Sequence, residues 1–210
     1  MKTMIFLEEK EEDHLQVMTE SFEIGIDEVG KGSIFGPVFS AATVISKENG
    51  LILKNLGLND SKKLSKKKRE LLFPHILSLC EDWGIGQSSV REIDKYGIRS
   101  STELSMVRAI DKLRSKPLKI IVDGNLSLRL WKGSQENIIQ GDSKFPSIAA
   151  ASIIAKVIRD SLMNRFEYKF NGYSLSRNKG YGTKQHFLAL HQYGLTSMHR
   201  NTFLRKLNII

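Results

Sequence analysis

Short apolar runs alternate with longer amphipathic ones along the chain. Phe22, Ile24 and Ile26 alternate with Glu23, Gly25 and Asp27, a period of two that predicts a strand over Ser21–Glu28. The glycine-rich turn Gly30-Lys31-Gly32 closes it, and after Gly36-Pro37 the small and β-branched run Val38–Ile45 reads as a second strand. So short a connection predicts an antiparallel pair. Asn59-Asp60-Ser61 precedes a lysine-rich segment expected to be helical as far as about Trp83, and Gln87–Val90 reads as a short edge strand. Thr102–Arg114 is amphipathic at helical spacing through Met106, Ala109, Ile110 and Leu113. Lys119–Gly124 is a buried strand ending in a turn. Ile148–Ile158 is apolar nearly all round, as a fully buried helix is, with Ser152 and Lys156 sharing one polar stripe. Strands interleaved with helices predict an α/β layer fold that opens with an antiparallel pair.

Residues 1–20 read as an acidic N-terminal extension, and 21–210 as the folded domain. At 210 residues the chain is long enough for a sizeable core. Composition adds a partner class: 32 Lys and Arg against 23 Asp and Glu give a net charge of +9, which favours a polyanion such as nucleic acid. The single cysteine, Cys80, excludes an intrachain disulfide and a cysteine-cluster zinc site. The segment Ile5-Phe6-Leu7 gives way at once to acidic residues, unlike a signal peptide, and no apolar run has membrane-spanning length. A cytoplasmic protein with no membrane association is expected.

The candidate chemistry lies where strands end. Hydrolysis of a phosphodiester needs an activated water and stabilisation of the leaving oxygen. Two divalent ions about 3.5–4 Å apart supply both, and hard ions take oxygen ligands. Three segments present carboxylates at otherwise apolar strand ends or beside the buried helix: Asp27-Glu28, Asp123, and Asp142 in Gly141-Asp142-Ser143. Each also has an ordinary explanation, since Asp-Gly is common turn chemistry and Asp142 could cap a helix. Neighbouring strand residues face opposite ways, so Asp27 and Glu28 are expected to share a site only where the strand breaks up near Gly30 and Gly32. Other layouts are absent. The five histidines show no pair at helical ligand spacing, the glycines at 30, 32 and 36 do not fit the dinucleotide fingerprint, and there is no P-loop.

Taken jointly, the motifs are more specific. Gly25-Ile-Asp-Glu-Val-Gly-Lys-Gly32 with Gly36-Pro37-Val38 strongly resembles the opening motif of the type 2 ribonucleases H, the bacterial ribonuclease HII family. So do Asp60-Ser61-Lys62-Lys63-Leu64, Asp94-Lys95-Tyr96-Gly97-Ile98, Val122-Asp123-Gly124, Ala150–Lys156 with Arg159-Asp160, and Asn178–Thr183 followed by His186, His199-Arg200 and Phe203. The motifs keep the family's order across residues 24–203.

That resemblance implies an RNase H-like fold, a mixed five-stranded sheet flanked by helices, with a C-terminal helical segment. It implies a metal-binding and catalytic quartet, Asp27, Glu28, Asp123 and Asp142, holding two Mg²⁺ or Mn²⁺ ions. It further implies cleavage on the 5′ side of a ribonucleotide, leaving a 3′-hydroxyl and a 5′-phosphate. The expected partners are RNA/DNA hybrid and duplex DNA containing ribonucleotides, bound by a monomer. Substrate contacts are expected from Gly30, Lys31 and Gly32, from Ser61 and Lys62 at a phosphate, and from Tyr181 stacked on a sugar. Six of the residues from 62 to 69 are basic, and most of them read as a solvated face. The family's glycine-arginine-glycine is Gly30-Lys31-Gly32 here, and Lys31 with Phe35-Gly36-Pro37 is similar to the sister type 3 enzymes. A lysine pairs with phosphate as a point charge but lacks arginine's bidentate geometry. Three readings stay open: a type 2 endonuclease, the same fold with type 3-like specificity for long hybrids, and a hybrid-binding module without chemistry.

Overall fold

The computed structural model describes residues 22–114, 117, 119–125 and 127–207. The expected N-terminal extension and the first residue of the predicted opening strand lie outside them. Five strands, β1 Phe22–Val29, β2 Val38–Ser46, β3 Asp82–Ser88, β4 Lys119–Asp123 and β5 Ser134–Ile138, form one sheet in the order β3-β2-β1-β4-β5. The β3-β2-β1 side is antiparallel and β1-β4-β5 is parallel, so the sheet is mixed, as expected.

Helices cover both faces. These are α1 Lys47–Asn55, α2 Lys66–Leu79, α3 Val90–Ile110, α4 Pro146–Lys169 and the C-terminal α5 Leu175–Asn178, α6 Lys184–Tyr193 and α7 Asn201–Lys206. Alternation along β2 divides the core: Ala41 packs with Ile153, Ile154 and Ile76 under α4 and α2, while Ala42 packs with Ile26, Met106 and Ile110 under α3. Two strands lie so near their helices that only glycine fits. A Cβ on Gly25 would fall 2.3 Å from Ile148 N, and one on Gly86 would fall 1.9 Å from Ser105 O. A third cluster, around Phe35, Met163, Tyr173, Leu190 and Leu204, joins the C-terminal helices to the far end of α4.

Several boundaries differ from the expectation for local reasons. The lysine-rich helix starts at Lys66, because Ser65 caps it by accepting the Lys68 N–H, and it ends at Leu79. Residues 82–88 then zip onto β2 as a full edge strand, where only the short segment from Gln87 was foreseen. Ser89 and Glu92 form a reciprocal capping box that starts α3 at Val90, twelve residues before Thr102. Gly97, at φ 78°, kinks that helix. The buried helix runs on to Lys169, well past Ile158. The sequence of β5, Ser-Gln-Glu-Asn-Ile, carries no apolar alternation, so the strand lies outside the elements expected from the pattern. No described helix is long and apolar enough to cross a membrane.

Candidate active site

The parallel pairing of β1 with β4 sets Gly25 beside Ile121 and Ile26 beside Val122, so the next residue on each strand, Asp27 and Asp123, reaches the same sheet end. Such carboxyl ends of parallel strands are where open α/β sheets place their sites. The strand does not break up at Asp27 and Glu28, contrary to expectation. It stays in the ladder through Val29, with Glu28 opposite Ser40 and Val29 opposite Phe39. Instead, the Asp27 carboxylate bends toward its neighbour, and its Oδ1 accepts the Glu28 N–H at 2.7 Å. Asp142 arrives from a 3-10 turn, Gly141–Ser143, between β5 and α4. The Gly141 N–H donates to Asp123 Oδ1 at 2.7 Å, which joins that turn to the end of β4.

One cleft of about 260 Å³ is lined by Asp27, Glu28, Asp123, the loop Gly30-Lys31-Gly32, Ser61, Lys62 and Tyr181. All six expected substrate-contact residues therefore meet three of the four acidic residues. Asp142 lines a different concavity, with Asn59 and Lys144, yet is near enough for Asp123 to act on its charge. It communicates through Lys62, whose Nζ stands 3.9 Å from Asp142 Oδ2.

Burial is the main electrostatic fact of the cleft. It raises the Asp27 carboxyl well above the usual carboxylate value; repulsion from Glu28 adds to this, and a hydrogen bond from Ser152 partly offsets it. Burial raises Glu28 as well, and the Lys31 ammonium 3.5 Å away opposes that shift. Asp142 is raised by burial and then by Asp60 and Asp123. Burial alone would lower Lys62, but the carboxylates around it, Asp142 first, hold its ammonium above the ordinary lysine value. The site is an excess of buried negative charge that a cation would relieve.

The residues fit a divalent ion by their donors. They offer carboxylate oxygens only, and Asp142 Oδ2 is buried with no hydrogen-bond partner among the described residues. No three acidic or imidazole groups among the described residues converge tightly enough to make a closed cage. An open set suits Mg²⁺, which keeps several waters and is held by one or two carboxylates plus substrate phosphates.

The glycine loop is held from beneath by two buried arginines. The Arg159 guanidinium donates to Pro37 O at 3.1 Å, Lys179 O at 2.9 Å, Ser33 Oγ at 2.9 Å and Phe35 O at 3.2 Å. Arg200 donates to Gly36 O at 2.8 Å and Lys31 O at 3.0 Å. The two imidazoles His186 and His199 meet inside, Nε2 to Nε2, at 3.2 Å, and His199 forms a β-bridge with Phe35. His199 and Arg200 thus support the loop from within. Lys156 pairs with Asp160 at 3.0 Å, a carboxylate outside the expected quartet.

Sequence reasoning gave no role to Ser152, Asp60, Arg69 or Arg159. Ser152 Oγ lies 2.7 Å from Ser61 Oγ and bonds Asp27, while Arg69 donates to the carbonyls of Ser61 at 2.8 Å and Leu64 at 2.5 Å. The available sign for Arg159 was its place directly after the apolar run Ile148–Ile158.

The chain as a whole is similar to known proteins. A family profile described as Ribonuclease HII matches residues 24–206. Ribonuclease HII of Prochlorococcus marinus subsp. pastoris is 64% identical over 206 residues, covering 98% of this chain and 99% of that one. The crystal structure of ribonuclease H2 from Pyrococcus horikoshii superposes with a TM-score of 0.75 at 27% identity, covering 89% of this chain and 96% of that one. The RNase HII in a complex with PCNA from Archaeoglobus fulgidus gives a TM-score of 0.72 at 30% identity, covering 86% and 94%. The chain belongs to the ribonuclease HII family and is an endonuclease of the ribonuclease H class.

Proposed function

We propose that the cleft hydrolyses the RNA strand of RNA/DNA hybrids and also incises duplex DNA on the 5′ side of an embedded ribonucleotide. The products would carry 5′-phosphate and 3′-hydroxyl ends. The observation that carries this reading is the meeting, in one cleft, of Asp27, Glu28 and Asp123 with Gly30-Lys31-Gly32 and Tyr181. Asp27, Glu28, Asp123 and Asp142 would hold Mg²⁺ or Mn²⁺, and two such ions would activate water and stabilise the leaving oxygen.

The chain's own residues supply the rest. Lys62 and Lys31 offer cations to phosphates beside the carboxylates. Gly32 leaves its backbone open to close approach, because a Cβ there would touch nothing nearer than Tyr181 Cε1 at 4.0 Å. An exposed backbone donor or acceptor can recognise a 2′-hydroxyl, the group that distinguishes one ribonucleotide within DNA. Arg159 lies 5.7 Å from the Tyr181 ring centre, a cation–π contact that fixes the ring facing the cleft. A monomer acting in the cytoplasm belongs to the same proposal, in keeping with the basic charge and the single cysteine.

A second reading, type 3-like preference for long hybrids, is favoured by Lys31 itself. It is engaged with Glu28 at 3.5 Å and lacks a guanidinium's fork. One assay separates the readings: labelled duplexes with a single ribonucleotide, a long RNA stretch, or DNA only, each with Mg²⁺, Mn²⁺ or EDTA. Metal-dependent incision 5′ of the lone ribonucleotide, with DNA uncut, is expected. Cutting of the long hybrid alone would establish type 3-like specificity, and no cutting at all would leave a binding module.

A further inference from the structure

A second concavity, of about 210 Å³, lies between the first turn of α2 and the middle of α4, lined in part by Lys66, Arg69, Asp160 and Asn164. It adjoins the catalytic cleft: Arg69 lines both, and Lys156, in the wall of the first, is ion-paired with Asp160, in the wall of the second. Lys179 reaches it from another direction, with Nζ 2.5 Å from Asn164 Oδ1. Four cations, Lys66, Arg69, Lys156 and Lys179, thus gather around two carboxylates, Asp160 and Glu70.

The crowding leaves marks on Lys179. Burial holds its ammonium below the ordinary lysine value, and repulsion from Lys66 and Lys156 lowers it further, against the attraction of Asp160. Its backbone sits at φ 53°, a left-handed conformation unfavourable for a side chain of this kind. That conformation is imposed from both sides. Arg159 donates to the Lys179 carbonyl at 2.9 Å, and the Lys179 N–H donates to Leu175 O at 3.0 Å. The turn held in this way aims Tyr181 at the catalytic cleft and Lys179 at the second concavity. Strain kept in place by several bonds is characteristic of positions where geometry serves binding. Ordinary ion pairing does not account for the cluster: the Lys66–Glu70 pair is exposed and 3.7 Å apart, too loose to require a further half-buried lysine beside it.

We propose that this concavity binds a backbone phosphate of the duplex, distinct from the scissile one, with Lys179, Lys66 and Arg69 as its cations. The proposal rests on the reading that a ribonucleotide-bearing duplex occupies the catalytic cleft. A phosphate there neutralises the cation excess and removes the repulsion on Lys179, so a charged oxygen ligand gains more than at an ordinary surface lysine. A contact of this kind carries no sequence information but fixes the register of the duplex across the site. Because Tyr181 and Lys179 share one turn, a phosphate held by the lysine also sets where the ring meets the sugar.

The test uses Lys179→Gln, which removes the charge and keeps a polar side-chain end, and Lys66→Gln, at an exposed helix start where folding is not at risk. Binding of a single-ribonucleotide duplex is measured in EDTA over a salt series, and cleavage is measured with metal. Each variant should bind more weakly, with a log–log salt slope shallower by about 1, and the loss should fall on KM far more than on kcat. Neutral methylphosphonate linkages are then placed one at a time in each strand. Wild type should lose affinity at one position outside the scissile region, and both variants should be indifferent to that position. Lys62→Ala should remain sensitive there. The strand in which the position falls shows whether the phosphate comes from the cleaved strand or its complement. Wild-type binding and slope in both variants, or methylphosphonate losses that add to the variant loss at every position, would overturn the proposal. A wild-type protein that neither binds nor cuts the duplex would instead overturn the functional reading on which it rests.

Discussion

The backbone N–H of Gly141 donates to Asp123 Oδ1 at 2.7 Å, so the carboxylate at the end of β4 also orders the turn that carries Asp142. The two acidic residues are 19 apart in sequence, and no strand ladder joins Asp142 to the rest. One side-chain oxygen makes the link, leaving the other oxygen of Asp123 for the cleft. This coupling makes different replacements of Asp123 informative in different ways.

Asp123→Asn should remove nearly all cleavage while leaving the fold intact, because an amide oxygen still accepts from Gly141. Asp123→Ala should lose the same activity and about 1–3 kcal/mol of stability, the cost of a buried donor left unpaired. Thermal melts with turnover assays check both, and near-normal turnover in the asparagine variant would contradict the metal assignment.

Asp27 is 5% exposed and is crowded by Glu28 and Asp123. In EDTA, Asp27→Asn should therefore melt higher than wild type, since it removes a buried charge facing like charges but keeps an acceptor for the Glu28 N–H. Mg²⁺ or Mn²⁺ should reverse the order. At a hundred times the dissociation constant, a metal bound only to the folded state adds about 2.7 kcal/mol, and the variant should lose most of that gain. Equal metal-induced shifts in the two proteins would exclude Asp27 as a ligand.

Two glycines of one loop should respond in opposite ways. A Cβ on Gly30 would fall 2.2 Å from Arg159 Nε, at φ +87°, so Gly30→Ala should destabilise the protein and abolish activity together. A Cβ on Gly32 finds open space up to Tyr181 Cε1, so Gly32→Ala should melt like wild type. It should nevertheless weaken cutting at a lone ribonucleotide more than at a long hybrid, since the methyl obstructs the backbone approach. Comparable melting losses in the two variants would refute this division.

The buried imidazole pair predicts acid sensitivity. Burial first, and then His186, holds His199 down to about 4 from an ordinary 6.5. The unfolded chain therefore binds the proton more readily between those values. Stability is complete above about pH 6.5 and declines as pH falls toward about 4, by an amount on the order of 3 kcal/mol. His186 and the Tyr173 ring are the ionisable neighbours that face it, and His186 is itself lowered by burial. Chemical denaturation across this range should show the decline, and His199→Asn should flatten it. An unchanged slope in the variant would assign the acid sensitivity to other groups.

Much of the site was legible because its signals are local. A carboxylate following Ile24-Gly25-Ile26 or Ile120-Ile121-Val122 contradicts an apolar run, and glycines at 30 and 32 announce a turn whether or not the rest of the chain is seen. The antiparallel opening pair followed from the short connection between two β-patterned runs. The strand β5 was not legible: its five residues are mostly polar, and it exists because β4 offers an unpaired edge, with Asp123 opposite Ile138. The start of α3 was legible in principle, since Ser89 and Glu92 have capping-box spacing, but its first turns are too polar to show the helical period.

The sequence by itself determined which carboxylates are candidates for the chemistry, the oxygen-only character of that candidate set, the net basic charge and the α/β class. These depend on residue type and short-range period, which survive without coordinates. Only the tertiary structure decided that Asp27 and Asp123 meet through a parallel pairing across nearly a hundred residues, and that the turn carrying Asp142 is tied in by Gly141. It likewise turned Arg159, Arg200 and His199 inward to hold the loop, and brought Lys179 beside Lys66 and Lys156. The reason is physical. The partners in each of these contacts are far apart along the chain, and their energies come from shared burial and from charge at short range, which exist only once the sheet and α4 have packed.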